Sequence, residues 1–82
     1  MTQEQITAKL FAIIAEQFDR ELAALSPETN FKADFGADSL DLVELTLAIE
    51  DAFGLDTNGR EDELAGIETI ADAVKLIMGA KT

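Results

Sequence analysis

The sequence predicts an all-α fold: a four-helix bundle with three main helices, one short helix and a long first loop. Apolar residues recur at helical spacing in three stretches, whereas no stretch alternates in the way that a half-buried strand does. A chain of 82 residues encloses only one small hydrophobic core, so residues 1–82 are expected to form a single domain. Phe is the only aromatic type, so aliphatic side chains must supply most of that core.

The first helix is predicted over residues 3 to 18. Its apolar side chains recur at helical spacing, at Ile6, Leu10, Ile13, Ile14 and Phe18. Thr2 and Gln5 stand three residues apart just before this stripe, which is the spacing of a capping box. The helix is therefore expected to begin directly after Thr2.

Residues 19 to 38 show no sustained period and are predicted to form the long first loop. A connection of about 20 residues within a compact domain needs anchors that fix it to the core. Ser26, followed by Pro27 and Glu28, is expected to start a single helical turn. The side chains expected to enter the core are Leu22, Leu25, Phe31 and Phe35.

Residues 39 to 53 contain neither Gly nor Pro and are predicted to form a helix of about 22 Å. Asp38 is the expected N-cap, and Gly54 is expected to end the helix. The face expected to join the core consists of Leu42, Leu45, Ile49, Ala52 and Phe53. The opposite face holds Leu40, Val43 and Leu47, flanked by Glu44, Glu50 and Asp51.

This second apolar face has two interpretations. Its aliphatic side chains are either scattered on the surface or covered by the loop, as is common in small domains, or they form a docking surface. In a docking surface, the surrounding acids would attract basic partners. The charge distribution favours docking, because no base occurs between Lys32 and Arg60. The acids in that interval are Asp34, Asp38, Asp41, Glu44, Glu50, Asp51 and Asp56.

Two further helices are predicted after Gly54. Asn58 and Gly59 mark a turn, and residues 61 to 65 are expected to form the short helix. Thr69 is the expected N-cap of the last helix, with Asp72 at its third position. The buried stripe of the last helix is expected to be Ile70, Val74, Ile77 and Met78.

Composition and charge exclude several function classes. The net charge is −11, from 17 acids and six bases, which argues against nucleic acid or an anionic membrane as a partner. No apolar run approaches the ~20 residues that span a membrane, and no basic signal segment precedes the first helix. A cytoplasmic protein is therefore expected. The chain is also expected to be a monomer. Without His or Cys, no Ser-His or Cys-His pair can form, so no catalytic residue and no metal site are predicted.

Ser39 is the candidate functional residue. It stands in the first turn of the helix over residues 39 to 53, directly after Gly36, Ala37 and Asp38. The glycine can bend the loop, and backbone N–H groups at a helix start lack intrahelical partners. A phosphate on an exposed Ser39 hydroxyl would gain about 0.3–1 kcal/mol from this end of the helix dipole. On position alone, however, the favoured explanation is that Ser39 is simply a good residue for a helix start.

The segment from Asp34 to Leu45, DFGADSLDLVEL, resembles the prosthetic-group site of acyl carrier proteins. The resemblance extends over the whole chain and includes the long first loop and the helix end at Gly54. It implies a four-helix bundle in which a phosphopantetheinyl transferase modifies Ser39. Ser39 would then carry 4′-phosphopantetheine, whose thiol holds acyl groups as thioesters, and Asp38 would help to position the serine.

The same resemblance implies a set of partners and docking residues. The partners are acyl-transferring and acyl-modifying enzymes of fatty-acid or polyketide-type synthesis, with basic docking patches. The implied docking residues are Leu40, Asp41, Val43, Glu44, Leu47, Glu50 and Asp51. The resemblance also implies that helix contacts rich in alanine part to shelter a short acyl chain, at Ala8, Ala12, Ala48, Ala52 and Ala71.

Departures from the family pattern leave the pathway open. Phe35 stands where the family usually has Leu, and Leu42 stands where a small polar residue is common. An aminoacyl or peptidyl carrier is one alternative, although such carriers usually have Gly and often His where this chain has Ala37 and Asp38. An unmodified acidic interaction module is a second alternative. A carboxylate-pair enzyme is the weakest alternative, because no pocket signature accompanies the acids.

Overall fold

Three long helices and two short ones form the described part of the chain, residues 2–57, 59 and 61–81, in a computed structural model. They are α1 (Gln3–Gln17), α2 (Phe31–Phe35), α3 (Ser39–Phe53), α4 (Glu61–Ala65) and α5 (Ile70–Lys81). Over these residues there is no strand, only a single antiparallel bridge between Asn30 and Thr69. The prediction of an all-α fold with three main helices is confirmed.

The helix starts follow the capping residues in the sequence. The Gln5 N–H donates to Thr2 Oγ1 at 3.1 Å, and the Thr2 N–H donates to Gln5 Oε1 at 2.8 Å. At α5, the Asp72 N–H donates to Thr69 Oγ1 at 3.2 Å, and the Thr69 N–H donates to Asp72 Oδ2 at 3.1 Å. Both predicted capping boxes are confirmed. In each pair, the side chains accept hydrogen bonds from N–H groups for which the helix supplies no acceptor.

The core lies where α1 packs against α3 and α5. The largest fully buried side chains come from α1, α2 and α5: Leu10, Ile14, Phe31, Ile70 and Ile77. From α3, Leu45, Ile49 and Phe53 are buried, and Leu42 and Ala52 are partly buried. The predicted core face of α3 is therefore confirmed, and this face leaves the rest of that helix available to solvent.

Backbone hydrogen bonds attach the long first loop to the start of α5. The Ile70 N–H donates to the Thr29 carbonyl at 3.1 Å, and the Ala71 N–H donates to the Pro27 carbonyl at 2.9 Å. In the reverse direction, the Phe31 N–H donates to the Glu68 carbonyl at 2.9 Å. The loop thus supplies acceptors to the first N–H groups of α5, which have none within the helix.

The loop also contains structure that the sequence analysis missed. The helix α2 lies within the stretch predicted as loop; the Asn30 side chain caps it by accepting from the Lys32 and Ala33 N–H groups at 2.9 Å. A 3₁₀ helix occupies Leu22–Ala24, and the predicted burial of Leu22 is wrong because its side chain is 56% exposed. The Thr29 N–H donates to the Ser26 carbonyl, so the segment after Ser26 is a tight turn and not a helical one.

The remaining boundaries agree closely with the prediction. Helix α1 ends at Gln17, with Phe18 as its C-cap, one residue before the predicted end. Helix α4 covers the predicted residues 61 to 65. Of the predicted turn before it, Asn58 lies outside the described residues, and Gly59 has a φ of 87°, which favours glycine.

We expect the cap of α5 to make stability depend on acid pH through Asp72. Backbone N–H groups of Glu68 and Thr69 donate to its carboxylate and hold its pKa below the usual value. A lowered native pKa stabilises the fold above the unfolded value of about 4, and this contribution disappears as the pH falls through the native value. Asp72→Asn should therefore cost about 0.3–1 kcal/mol at neutral pH and flatten the loss of stability below about pH 4.

Urea unfolding at neutral pH and at several acidic pH values measures this effect. Asp51→Asn is the matched control, because Asp51 is an exposed acid near the C-terminal end of α3. Removing a negative charge there should leave stability unchanged or raise it slightly, since the helix dipole disfavours anions at that end. Equal acid sensitivity of the Asp72→Asn variant and the wild type would contradict the prediction.

Candidate site for a prosthetic group at Ser39

The chain before Ser39 is fixed by α2 and by one buried alanine. Helix α2 ends at Gly36, which has a φ of 64°, and the Gly36 N–H donates to the Lys32 carbonyl at 3.0 Å. Ala37 follows with only 5% of its surface exposed, and its N–H donates to the Phe31 carbonyl at 3.0 Å. Because Ala37 is anchored in the core, the chain turns outward after it, and Ser39 is exposed at the first position of α3.

Asp38 caps α3 as predicted. The Asp41 N–H donates to Asp38 Oδ1 at 2.9 Å, and the Asp38 N–H donates to Asp41 Oδ2 at 3.1 Å. This reciprocal box satisfies the Asp41 N–H and leaves those of Ser39 and Leu40 without an acceptor in the helix. A phosphate esterified to Ser39 would meet these N–H groups and the positive end of the helix dipole, which attract anions, although the Asp38 and Asp41 carboxylates of the cap oppose this attraction. The exposed hydroxyl and the free N–H groups fit such a phosphate.

A groove of about 880 Å³ opens beside Ser39. One wall is α3, the second is α2 with Asn30, and the third is the end of α4 with the segment before α5. The apolar side chains of these walls are Phe31, Ala33, Leu42, Val43, Leu47, Leu64, Ala65 and Ile67. Thr46 also lines the groove, but its hydroxyl donates to the Leu42 carbonyl at 2.8 Å, so its hydrogen is already bonded.

The groove was not predicted from the sequence. The expectation of core alanines is wrong at Ala8 and Ala12, which are exposed on α1. Ala48, Ala52 and Ala71 are partly exposed and lie outside the groove lining. The groove brings together residues far apart in sequence, such as Val43 and Leu64, so helical periodicity within one segment gave no signal for it.

The three aliphatic residues on the outer face of α3 are exposed. Leu40, Val43 and Leu47 have 64%, 55% and 59% of their surfaces exposed. Since Val43 and Leu47 also line the groove, this outer face is continuous with the groove beside Ser39. The interpretation that the loop covers these side chains is therefore wrong.

The acids predicted to dock partners differ in their environments. Glu44 and Asp51 are exposed, and the Gln17 side chain donates to Glu44 Oε2 at 3.3 Å. Asp41 is partly exposed and belongs to the cap of α3. Glu50 is also partly exposed, and its carboxylate accepts two hydrogen bonds from Thr57 within the same chain. Three of the four acids thus accept hydrogen bonds from within the chain, those of Asp41 and Glu50 with backbone N–H groups among the donors.

The described residues contain neither a membrane-spanning helix nor a cluster of metal ligands. None of the helices found there combines the length and the apolar character that crossing a membrane requires. In the same residues, no three acidic side chains come together in a way that would hold a metal ion.

Comparisons with known proteins agree with this geometry. Residues 8–77 match a family model described as a phosphopantetheine attachment site. The chain is 45% identical over 82 residues to an acyl carrier protein of Prochlorococcus marinus (strain MIT 9515), with 99% of each chain covered. It also superposes on the acyl carrier protein of Enterococcus faecalis with a TM-score of 0.78 and 34% identity, over 98% of this chain and 99% of that one.

A further solved structure agrees: an acyl carrier protein from Thermotoga maritima has a TM-score of 0.76 and 25% identity, over 96% of this chain and 89% of that one. The fold, together with these matches, defines a carrier protein with a covalently attached prosthetic group. The chain belongs to the acyl carrier protein family, and its prosthetic group is 4′-phosphopantetheine. The resemblance seen in the sequence is confirmed, and neither the aminoacyl carrier nor the unmodified interaction module is favoured.

Proposed function

We propose that Ser39 is the attachment residue and that a phosphopantetheinyl transferase modifies it. In this step, Ser39 Oγ forms a bond to a coenzyme A phosphorus, the nucleotide half of coenzyme A departs, and the serine proton passes to the transferase or to water. The observation that carries the proposal is the exposure of Ser39 at the start of α3, beside the groove. Gly36 and Asp38 support the site by shaping the turn and capping the helix.

The outer face of α3 is the proposed docking surface for the transferase and for acyl-transferring and acyl-modifying enzymes. Leu40, Val43 and Leu47 offer exposed apolar surface next to Ser39, and Glu44 and Asp51 add negative charge around it. Partners with basic patches would be attracted to this surface and would bury its aliphatic side chains. We assign the carrier to fatty-acid or polyketide-type synthesis and expect it to act as a monomer in the cytoplasm.

The groove is the proposed shelter for an attached acyl chain. Its walls are mostly apolar, and it opens beside the hydroxyl to which the arm would be joined. Apolar atoms of a cargo placed there would leave water, which stabilises the bound arrangement in proportion to the buried area. This assignment replaces the alanine-rich contacts that the sequence suggested.

Intact-mass measurement after incubation with coenzyme A and a broad-specificity transferase tests the attachment residue. The wild type should gain the mass of one phosphopantetheine group, and Ser39→Ala should gain none. Ser26→Ala is the matched control, because Ser26 and Ser39 are the two serines of the chain. The Ser26 hydroxyl is partly buried, 3.4 Å from Thr29 Oγ1, so its removal should leave the mass gain intact. A gain that survives Ser39→Ala would overturn the proposal.

A further inference from the structure

The carboxylate of Glu50 points back toward its own chain. Its Oε2 atom accepts a hydrogen bond from the Thr57 N–H at 3.2 Å and another from Thr57 Oγ1 at 3.0 Å. Thr57 is itself buried, with 8% of its surface exposed. A hydrogen bond to a charged acceptor is stronger than one between neutral groups, and it is strengthened further where water is partly excluded.

The backbone of Glu50 also binds residues that follow α3. Its carbonyl accepts from the Gly54 N–H and from the Leu55 N–H, the latter at 3.0 Å. Glu50 therefore bonds to three of the four residues that follow α3, through its carbonyl at one end and its carboxylate at the other. Only the carboxylate bonds depend on the identity of the side chain.

Residues 54–57, which Glu50 binds, lead to a wall of the groove. Four residues after Thr57 the chain enters α4, where Leu64 and Ala65 line the groove opposite Val43 and Leu47 of α3. Only three residues separate Thr57 from α4, so the hydrogen bonds of Thr57 to α3 hold the start of a short connection to that helix.

We propose that Glu50 is a positioning residue that acts within the chain: its carboxylate binds Thr57 and so sets the position of α4 against the groove. This role differs from the docking role that the family resemblance implies for Glu50. The consequence for cargo rests on the proposed function of the groove, whereas the bond between Glu50 and Thr57 does not. Glu50 thus affects the groove beside Ser39 through its hydrogen bonds to Thr57.

Amide hydrogen exchange, measured by NMR on the unmodified protein, tests the proposal. In Glu50→Ala, the amides of Leu55 and Thr57, and those of Gly66 and Ile67, which donate to carbonyls of α4, should exchange roughly tenfold faster or more, since two bonds to a charged acceptor are lost. Thr57→Val, which removes the hydroxyl with little change in volume, should accelerate the same amides less. The double variant should exchange no faster than Glu50→Ala, because both substitutions break the same contact.

Two further variants separate the proposed role from alternatives. Glu50→Gln keeps a carbonyl oxygen as an acceptor and should restore most of the protection. Asp51→Ala removes the neighbouring exposed acid and should leave exchange at Thr57 unchanged. Unchanged exchange in Glu50→Ala, or additive effects in the double variant, would overturn the proposal.

The KM of the transferase for these carrier variants adds a functional readout. If Glu50 acts through Thr57, Glu50→Ala and Thr57→Val should change the KM for the carrier in the same direction, again without additivity. A KM raised by Glu50→Ala but not by Thr57→Val would assign Glu50 to partner docking and contradict the proposal. A failed attachment of phosphopantetheine at Ser39 would refute the proposed function and leave the exchange result unaffected.

Discussion

Phe31→Ala is expected to cost about 3–5 kcal/mol in the free energy of unfolding, as large aromatic truncations in a core do. Only 1% of the Phe31 surface is exposed, and its ring centroid lies 6.1 Å from those of both Phe18 and Phe35. Truncation would remove the ring that joins α2 to the end of α1. A loss of this size is a large part of the 5–15 kcal/mol that stabilises a typical domain.

Urea unfolding followed by circular dichroism measures the change in stability. Leu22→Ala is the control, because it also truncates an apolar residue of the first loop but at an exposed position. Its effect should stay within about 0.5 kcal/mol. If Phe31→Ala unfolded at the same urea concentration as Leu22→Ala, the packing of α2 described above would be wrong.

Leu47→Ala is expected to lower kcat/KM of the transferase for this carrier roughly tenfold, which corresponds to about 1.4 kcal/mol. Burial of a whole aliphatic side chain contributes about 1.5–3 kcal/mol, and a docked partner would cover only part of Leu47. The side chain is 59% exposed in the free protein, so truncation should leave the fold intact. The rate of modification at Ser39, followed by intact mass over time, gives the measurement.

Leu22→Ala again provides the matched control. Leu22 is the same residue type and is 56% exposed, but it lies on the first loop, outside the outer face of α3. If both substitutions lowered kcat/KM equally, the effect would reflect general surface change, and α3 would not be the docking surface. Higher ionic strength should also reduce the rate for the wild type, because salt screens attraction between the acidic face and a basic partner.

Elements bounded by distinctive residues could be predicted from the sequence. Asp38 and Gly54 enclose α3, because one provides an N-cap acceptor and the other adopts the left-handed conformation, with a φ of 65°. The capping pair of Thr69 and Asp72 marked α5 in the same way. Such caps can be recognised in a sequence because they depend on residues only three or four positions apart.

Elements that depend on tertiary contacts could not be predicted. Helix α2 is also bounded by caps, Asn30 and Gly36, which were the local signal that could have indicated it. It was missed because its five residues show no apolar period, and the burial of Phe31 that holds it is a tertiary contact. The position of Glu50 on α3 could be predicted by helical projection, but the direction of its carboxylate could not. That direction depends on where Thr57 lies after the chain has turned at Gly54.

The most direct test is the mass of the protein isolated from the cells that produce it, followed by fragmentation to locate any attached group. We expect phosphopantetheine, with or without an acyl group on its thiol, on the fragment that contains Ser39. A population without the group in growing cells, or a group located on the fragment that contains Ser26, would contradict the assignment of the arm to the start of α3.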